Sequence, residues 1–511
     1  MSDLTVGSAI RGGTASLWAA NSRSRDLLDG RLVLLLGFAL VALLLRSPLF
    51  GDPVLHSDEQ FYLLVGDRIL HGALPYVDIW DRKPIGLFLL YAGVRRLGGD
   101  GIVEYQLAAT ACAALTALLV RDLARMLTTA RNAFLAGVAY LTYLLMFDGA
   151  GGQSPVFYNL LVVGAVRVCA SPTDADIARS KRTRDLLVAG ACVNLLFGLA
   201  MQIKYTAVFE GVYFGLVLSY RGAHLFRSRV RLLLALALWL ACALGPTAAA
   251  MLAYWHLGHL AEFIQANFLS IFNRHQAKLP ALLRLVVTAL ALTPLVGCAV
   301  RGIARLEGTI AGRGDPVPLL WGWALAAIAG YLLFGSYFDH YALPLLAPLC
   351  ILAAPGFEMP HRLFNERFVL LFALIVGVIT VGWRYLDHGS ATQLARVQRL
   401  VATNLHGCLY VYEGPSLLYK QTNACMVTRF AFPNHLDNSK EADALGVNAS
   451  AETARLLQRS PSVIVMSSKA GPLTNIATRK LVEHAVDEHY SLAGEAALGA
   501  SRLRIYALRP D

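Results

Sequence analysis

Leu32-Val33-Leu34-Leu35-Leu36-Gly37-Phe38-Ala39-Leu40-Val41-Ala42-Leu43-Leu44-Leu45 runs on through Arg46 to Phe50, and Leu55-His56-Ser57-Asp58-Glu59-Gln60-Phe61-Tyr62 follows within five residues. The first stretch is long enough to cross a bilayer core of roughly 30 Å, which takes about 20 mostly apolar residues in a helix. The second puts two adjacent carboxylates at the membrane surface. The first stretch has no small-residue cleavage site after a short apolar core, so it reads as a retained anchor. The rest of the chain follows this pattern. Of its 511 residues 56% are hydrophobic and 15% charged, with a mean hydropathy of +0.52, against about 25% charge in an ordinary soluble domain. The composition is that of a polytopic α-helical membrane protein.

Eleven apolar windows emerge: Leu32–Phe50, Ile102–Val120, Asn132–Met146, Ser154–Ala170, Leu186–Ile203, Ala207–Tyr220, Leu232–Tyr254, Leu282–Val300, Val317–Phe334, Tyr341–Ala354 and Phe368–Trp383. The fifth and sixth are short and nearly continuous, so a re-entrant pair is an open alternative. Ile85–Val94 is too short to span and reads as a membrane-surface or half-inserted helix. The net charge of +11 does not indicate nucleic acid, because the basic residues fall in short clusters between apolar windows and not along one stripe. They fit the rule that Lys and Arg collect in cytoplasmic loops. With the N-terminus inside, the clusters Arg23/Arg25/Arg31, Arg121/Arg125/Arg131, Arg179/Lys181/Arg182/Arg184, Arg221/Arg227/Arg229/Arg231, Arg301/Arg305/Arg313 and Arg362/Arg367 all lie on the cytoplasmic side. The expected organisation is a cytoplasmic segment 1–31, a transmembrane domain 32–384 with outer loops at 51–101 and 255–281, and an extracytoplasmic domain 385–511.

From Asp387 onward no window can cross a membrane. Gly407–Tyr412, Ser462–Met466 and Leu503–Ala507 read as strands, and Ala451–Gln458 and Asn475–His484 as helices, giving a small α/β domain. Six of the eight cysteines lie in or beside apolar windows, where a lone Cys is usually a small core residue. Cys408 and Cys425 lie outside them, and in an oxidising compartment such a pair can bridge. We predict a Cys408–Cys425 disulfide.

In the first outer loop, Phe61, Leu63, Leu64, Ile69 and Leu70 alternate with Asp67 and Arg68 at helical spacing. This predicts an amphipathic helix on the membrane with Asp58-Glu59 at its N-terminal end. Acidic residues there suit the helix dipole and could simply cap it; Lys83-Pro84 before an apolar run could simply begin a helix.

The combination of Asp58-Glu59 in the first outer loop, Asp81-Arg82-Lys83-Pro84, Gly198-Leu199-Ala200 with Lys204, and Tyr337-Phe338-Asp339-His340-Tyr341-Ala342-Leu343-Pro344 before a late window resembles the GT-C glycosyltransferases. It is most similar to the bacterial protein O-mannosyltransferase and aminoarabinose-transferase branch. The resemblance implies a helical bundle with surface helices in the first outer loop. It also implies a polyprenyl-phosphate sugar as donor, with a lipid, polysaccharide or protein hydroxyl as acceptor, at the outer face of a bacterial inner membrane. By the same resemblance Lys83 matches the family lysine, Arg82 stands where many relatives carry another residue, and Asp81 could help hold a divalent metal with a histidine.

These residue types suit glycosyl transfer. A carboxylate within reach of the acceptor hydroxyl can take its proton, which is the role expected of Asp58, with Glu59 either supporting it or capping the helix. Cations that meet the charge growing on the departing phosphate are expected to be Lys83 and Arg82. A lysine between two apolar windows is costly unless it faces a cavity or partner, so Lys204 is a further expected ligand for the donor phosphate or acceptor. In the loop His256–Leu282, Arg274, His275 and Lys278 read either as a second phosphate contact or as cations snorkelling from an interfacial helix. Asp339, His340 and Tyr341 lie where the ninth window ends outside, a region that by the resemblance lines the active-site cavity, so His340 reads either as a donor contact or as an interface residue. Two other function classes stay open: a glycan ligase or polymerase, which would show a large arginine-bearing loop between late windows, and a lipid-linked sugar transporter, which would show internal repeats.

Overall fold

The computed structural model describes residues 30–171, 179–274, 278–306, 316–358 and 364–510. Each of the eleven apolar windows coincides with a helix. Among the described residues seven helices are long and apolar enough to cross a membrane: α1 (Gly30–Leu49), α4 (Ile102–Ala124), α7 (Arg179–Met201), α9 (Arg229–His256), α11 (Lys278–Leu306), α12 (Val317–Phe334) and α14 (Glu366–His388). The remaining windows form shorter or less apolar helices: α5 (Ala130–Met146), α6 (Ser154–Cys169), α8 (Val208–Leu225) and α13 (Leu343–Ala353), and the short α10 (Leu260–Ile264) lies between α9 and α11. All are helical for one reason: away from water, a backbone must satisfy its own polar groups. α13 can be only 11 residues long because it is buried on every side, packed against α5, α11 and α12. It is a core helix of the bundle.

The fifth and sixth windows are two separate helices. α7 begins at Arg179, ahead of the expected Leu186, and ends at Met201; a 3-10 turn at Tyr205–Ala207 leads into α8. The break leaves the Gln202 carbonyl free to accept from the Leu87 N–H, 3.0 Å away, at the start of α3 (Ile85–Arg95). Gly86 permits this approach, since a Cβ there would lie 2.6 Å from the Gln202 side chain. The Lys83-Pro84 turn is thereby pinned beside Lys204.

The first-loop helix α2 (Ser57–Leu70) differs from the expected amphipathic surface helix: Glu59 through Asp67 are all buried. One face meets α3 so closely that a Cβ on Gly66 would sit 2.7 Å from the Ala92 nitrogen. The other meets the C-terminal unit, where Arg68 donates to the Ala424 carbonyl at 2.6 Å and the Phe61 and Phe432 rings stand 5.0 Å apart.

Beyond α14, α15 (Ala391–Asn404) leads into β1 (Leu409–Val411), the short α16 (Leu418–Gln421), α17 (Ala449–Leu457), β2 (Val463–Ser467), α18 (Ile476–His489), β3 (Tyr490–Leu498) and β4 (Ser501–Leu508). The strands pair in the order β1-β2-β4-β3. β1 is parallel to β2, with Leu409 opposite Val463, while β4 is antiparallel to both of its neighbours. α15 and β3 were not among the expected elements. β3 reads Tyr-Ser-Leu-Ala-Gly-Glu-Ala-Ala-Leu, poor in β-branched residues and without regular alternation of burial, and it is held by the α15 face packed on it. A disulfide joins Cys408 to Cys425, whose Cα atoms are 4.6 Å apart.

This unit is tied to the first loop at several points. Trp80 N–H donates to the Arg429 carbonyl at 2.8 Å, Ala391 N–H donates to Asp52 at 3.0 Å, and His388 Nδ1 lies 2.6 Å from the Leu55 carbonyl.

Candidate functional site

Asp58 lies in the first turn of α2, and it does not cap the helix. The N-cap position is His56, and no side-chain cap is made. The carboxylate instead turns toward Lys83, whose Nζ is 3.8 Å away, with 23% of each side chain exposed. Tyr62, one helical turn on, donates its hydroxyl to Asp58 Oδ2 at 3.2 Å. Burial pushes the Asp58 carboxyl up, but Lys83, then His340 and Lys204, together with the Tyr62 hydrogen bond, outweigh it and hold the group at about 2. Lys83 responds in the opposite sense: burial lowers it, and Asp58 and Asp81 more than restore it.

Lys204 and His340 complete the cluster through Tyr341. Lys204 Nζ sits 4.1 Å from the centre of the Tyr341 ring, and the His340 ring lies 4.6 Å from it, edge to face. Lys83 faces the Tyr62 ring at 5.1 Å. The break after α7, the turn before α3, the start of α2 and the 3-10 turn before α13 therefore converge here. Two lysines and a histidine thus gather around the half-buried Asp58 carboxylate, an arrangement in which an anion can meet cationic side chains.

Glu59 does not share this position. It points into the bundle, buried, toward Arg46, His56, the Gly152 backbone N–H and the Tyr105 hydroxyl, and burial raises its carboxyl above the ordinary range. Arg46 is anchored there by Gly149 and Gly151 carbonyls at 2.6 and 2.5 Å. A Cβ on Gly151 would run into the Glu59 carboxylate at 2.2 Å. Glu59 thus lies against the bundle while its neighbour Asp58 faces Lys83.

Arg82 and Arg274 were both expected at the donor phosphate, and both are already engaged. Each pairs with Glu441 of the C-terminal unit, Arg274 Nε at 2.7 Å. Their charge acts as a clamp between loop and sheet unit. Replacing Glu441 by Ala would leave two arginines, 15% and 17% exposed, without their shared partner. The expected loss is about 3 kcal/mol, the low end for a broken buried pair, read as a lower melting temperature of the purified protein. Glu441→Gln is expected to lose less, and an unchanged melting temperature for Glu441→Ala would refute the clamp.

His275 lies outside the described residues. Lys278 is exposed at the start of α11. Asp81 is buried, its Oδ1 accepting from Arg82 N–H at 2.6 Å and lying 4.0 Å from His435 Nε2. Among the described residues no group of three or more His, Cys, Asp or Glu side chains gathers to hold a metal ion. Among the described residues, the side chains around Asp81 therefore do not by themselves make a donor set for a divalent cation.

Sequence reasoning missed Tyr62, although its i,i+4 spacing from Asp58 on a helix was a usable signal. It also missed Glu441, 359 residues from Arg82, and Arg384, which bridges Asp148 at 2.5 Å and Asp339 at 3.1 Å. No local pattern marks either.

The fold, over most of the chain, is shared with two solved proteins. The chain is similar to ArnT of Cupriavidus metallidurans bound to undecaprenyl phosphate: TM-score 0.63 at 15% identity, covering 94% of this chain and 99% of that one. It is similar to the same protein in the apo state, with TM-score 0.61 at 14% identity over 95% of this chain and 100% of that one. It also resembles the apo oligosaccharyltransferase of Archaeoglobus fulgidus, with TM-score 0.51 at 13% identity over 86% of this chain and 69% of that one. No protein-family model matches the chain, and no curated protein matches it in sequence.

Proposed function

We propose that the protein is a glycosyltransferase that moves a sugar from a polyprenyl-phosphate carrier to an acceptor hydroxyl at the outer face of a bacterial inner membrane. The observation that carries this reading is the Asp58 carboxylate 3.8 Å from Lys83, with Lys204 and His340 converging on it. This is a base beside an anion site. ArnT of C. metallidurans, whose fold this chain shares, was solved with undecaprenyl phosphate, and the cluster here has the charge to take such a phosphate.

The step balances without a cofactor. Asp58 takes the acceptor hydroxyl proton as that oxygen attacks the anomeric carbon. The bond from that carbon to the phosphate oxygen breaks, its electron pair leaves on the polyprenyl phosphate, and Lys83 and Lys204 meet the charge. Glu59 acts through α2, positioning Asp58. The test is turnover of a radiolabelled polyprenyl-phosphate sugar by the full-length protein in lipid nanodiscs supplied with envelope extract. Failure to transfer from any such donor would refute the reading.

A base held at about 2 is weak, and donor binding corrects this. A phosphate that takes up Lys83 and Lys204 withdraws the charges that depress Asp58, so its pKa rises toward the useful range. The active form is the ionised one, present above the pKa and lost as pH falls through it. In the free protein that loss lies near pH 2, below the working range, whereas in the donor complex it moves up. The acid limb of kcat is therefore expected at higher pH than the acid limb of kcat/KM for the donor, and coincident acid limbs would contradict the coupling.

The orientation rests on the Lys and Arg distribution. A reporter active only outside the cytoplasm, fused after Asp387, is expected to be active; activity of a cytoplasmic reporter there would invert the topology.

A further inference from the structure

Between the start of α2 and the sheet unit lies an open cleft of about 520 Å³, within the 300–1,000 Å³ typical of small-molecule sites. One wall is formed by the loops at the carboxyl ends of the parallel strands β1 and β2, including Glu413, Gly414, Ser467 and Lys469. Crevices outside the carboxyl ends of parallel strands are recurrent ligand sites. The facing wall includes Val54, Ser57 and Gln60. Ser57 directly precedes Asp58 in the first turn of α2, so the cleft reaches the turn that carries the proposed base.

We propose that this cleft binds the acceptor and takes the hydroxyl-rich ring of a carbohydrate. The inference rests on the transferase reading above. Its lining combines planar side chains, Asn434, Asn438 and Asp437, with the aromatic ring of Phe432. Amides and carboxyls can engage neighbouring hydroxyls in pairs, and an aromatic ring offers an apolar surface for the C–H face of a sugar. Glu413 is occupied, receiving Arg479 at 3.1 and 3.0 Å and the Ser467 N–H at 2.9 Å. Asp437 is held at about 8 by burial and by the nearby Glu413 and Glu441. At neutral pH its carboxyl therefore carries a proton and can both give and accept a hydrogen bond.

The charge of the cleft separates it from the donor site. Lys469 is the one Lys or Arg in the lining and shares it with the carboxylates Asp387 and Glu413, so a phosphate meets fewer cations here than at Lys83 and Lys204. An extended peptide would add to a free strand edge. The outer edge of β1 is already taken, since Leu409 N–H donates to the Cys425 carbonyl at 3.1 Å and Leu409 bridges Met426.

The test uses full-length protein in nanodiscs with Asn434→Cys, alkylated by a maleimide and read at that peptide by mass spectrometry. Methyl glycosides of hexose, aminohexose and pentose type, inorganic phosphate and a Ser/Thr-containing peptide serve as competitors. At least one methyl glycoside is expected to slow alkylation about tenfold, and Asp437→Ala in the same background is expected to abolish that protection. Protection by none of the glycosides, or only by phosphate or the peptide, would overturn the proposal. No donor is needed for this measurement, so the two readings fail separately. Lost protection with intact transfer removes the cleft, whereas absent transfer from every polyprenyl-phosphate sugar removes the transferase reading on which an acceptor role depends.

Discussion

Asp58→Asn is expected to lower sugar transfer by about 10²–10⁴-fold, the usual contribution of a positioned general base, while the protein folds and inserts normally. Asn keeps the size of the side chain and can still accept from the Tyr62 hydroxyl, which now meets Asp58 at 3.2 Å. What it loses is the ability to take a proton. Folding should change little, since Asp58 and Lys83 are each 23% exposed and stand 3.8 Å apart, a separation at which a partly exposed ion pair contributes on the order of 1 kcal/mol or less. Binding of the proposed polyprenyl-phosphate donor should hold or tighten, because removing the carboxylate removes a negative charge beside the lysines. Near-normal turnover by this variant, with protein and donor at wild-type levels, would end Asp58's assignment as the base.

Lys83→Met should act on the other half of the reaction. Methionine fills much of the same space against the Tyr62 ring, which faces the Lys83 Nζ at 5.1 Å, but supplies no charge. Removing one preorganised group that stabilises developing charge costs roughly 10²–10³-fold in kcat, and donor KM should rise as well because Lys83 also meets the ground-state phosphate. Lys204 stays in place, so some donor binding should survive. The variant also has a readout that a purely structural lysine would not move. Asp58 loses the first of the cations holding it low, so its ionisation shifts upward even without donor. An Asp58 titration unchanged in Lys83→Met, followed by NMR or by the kcat/KM profile, would show that the lysine does not govern the carboxylate.

The two variants bear on the same pair from opposite ends, so their effects should not add. Their charges are coupled across 3.8 Å, so the loss in the double variant is expected to differ from the product of the two single losses.

Each apolar window read from the sequence became a helix, because in a bilayer the requirement to satisfy the backbone internally is local and leaves few alternatives. Asp58, Lys83, Lys204 and His340 were likewise legible as unusual charges next to such windows, and the structure brings the four together. The roles of Glu59, Arg82 and Arg274 were not legible. In the sequence Glu59 is merely the neighbour of Asp58, yet on a helix adjacent residues point about 100° apart, and packing against Gly151 and Arg46 sends one into the bundle and the other into the site. Arg82 and Arg274 look like phosphate ligands until Glu441 arrives from the far end of the chain. The burial of α2 on both faces, the short core helix α13, strand β3 and the cleft beside Asp437 also depended on partners distant in sequence. The sequence by itself determined which segments are apolar enough to become helices and where charge is tolerated among them, since those are properties of a few consecutive residues. Only the tertiary structure decided which charges are paired and which stay open to a ligand, because that depends on long-range packing.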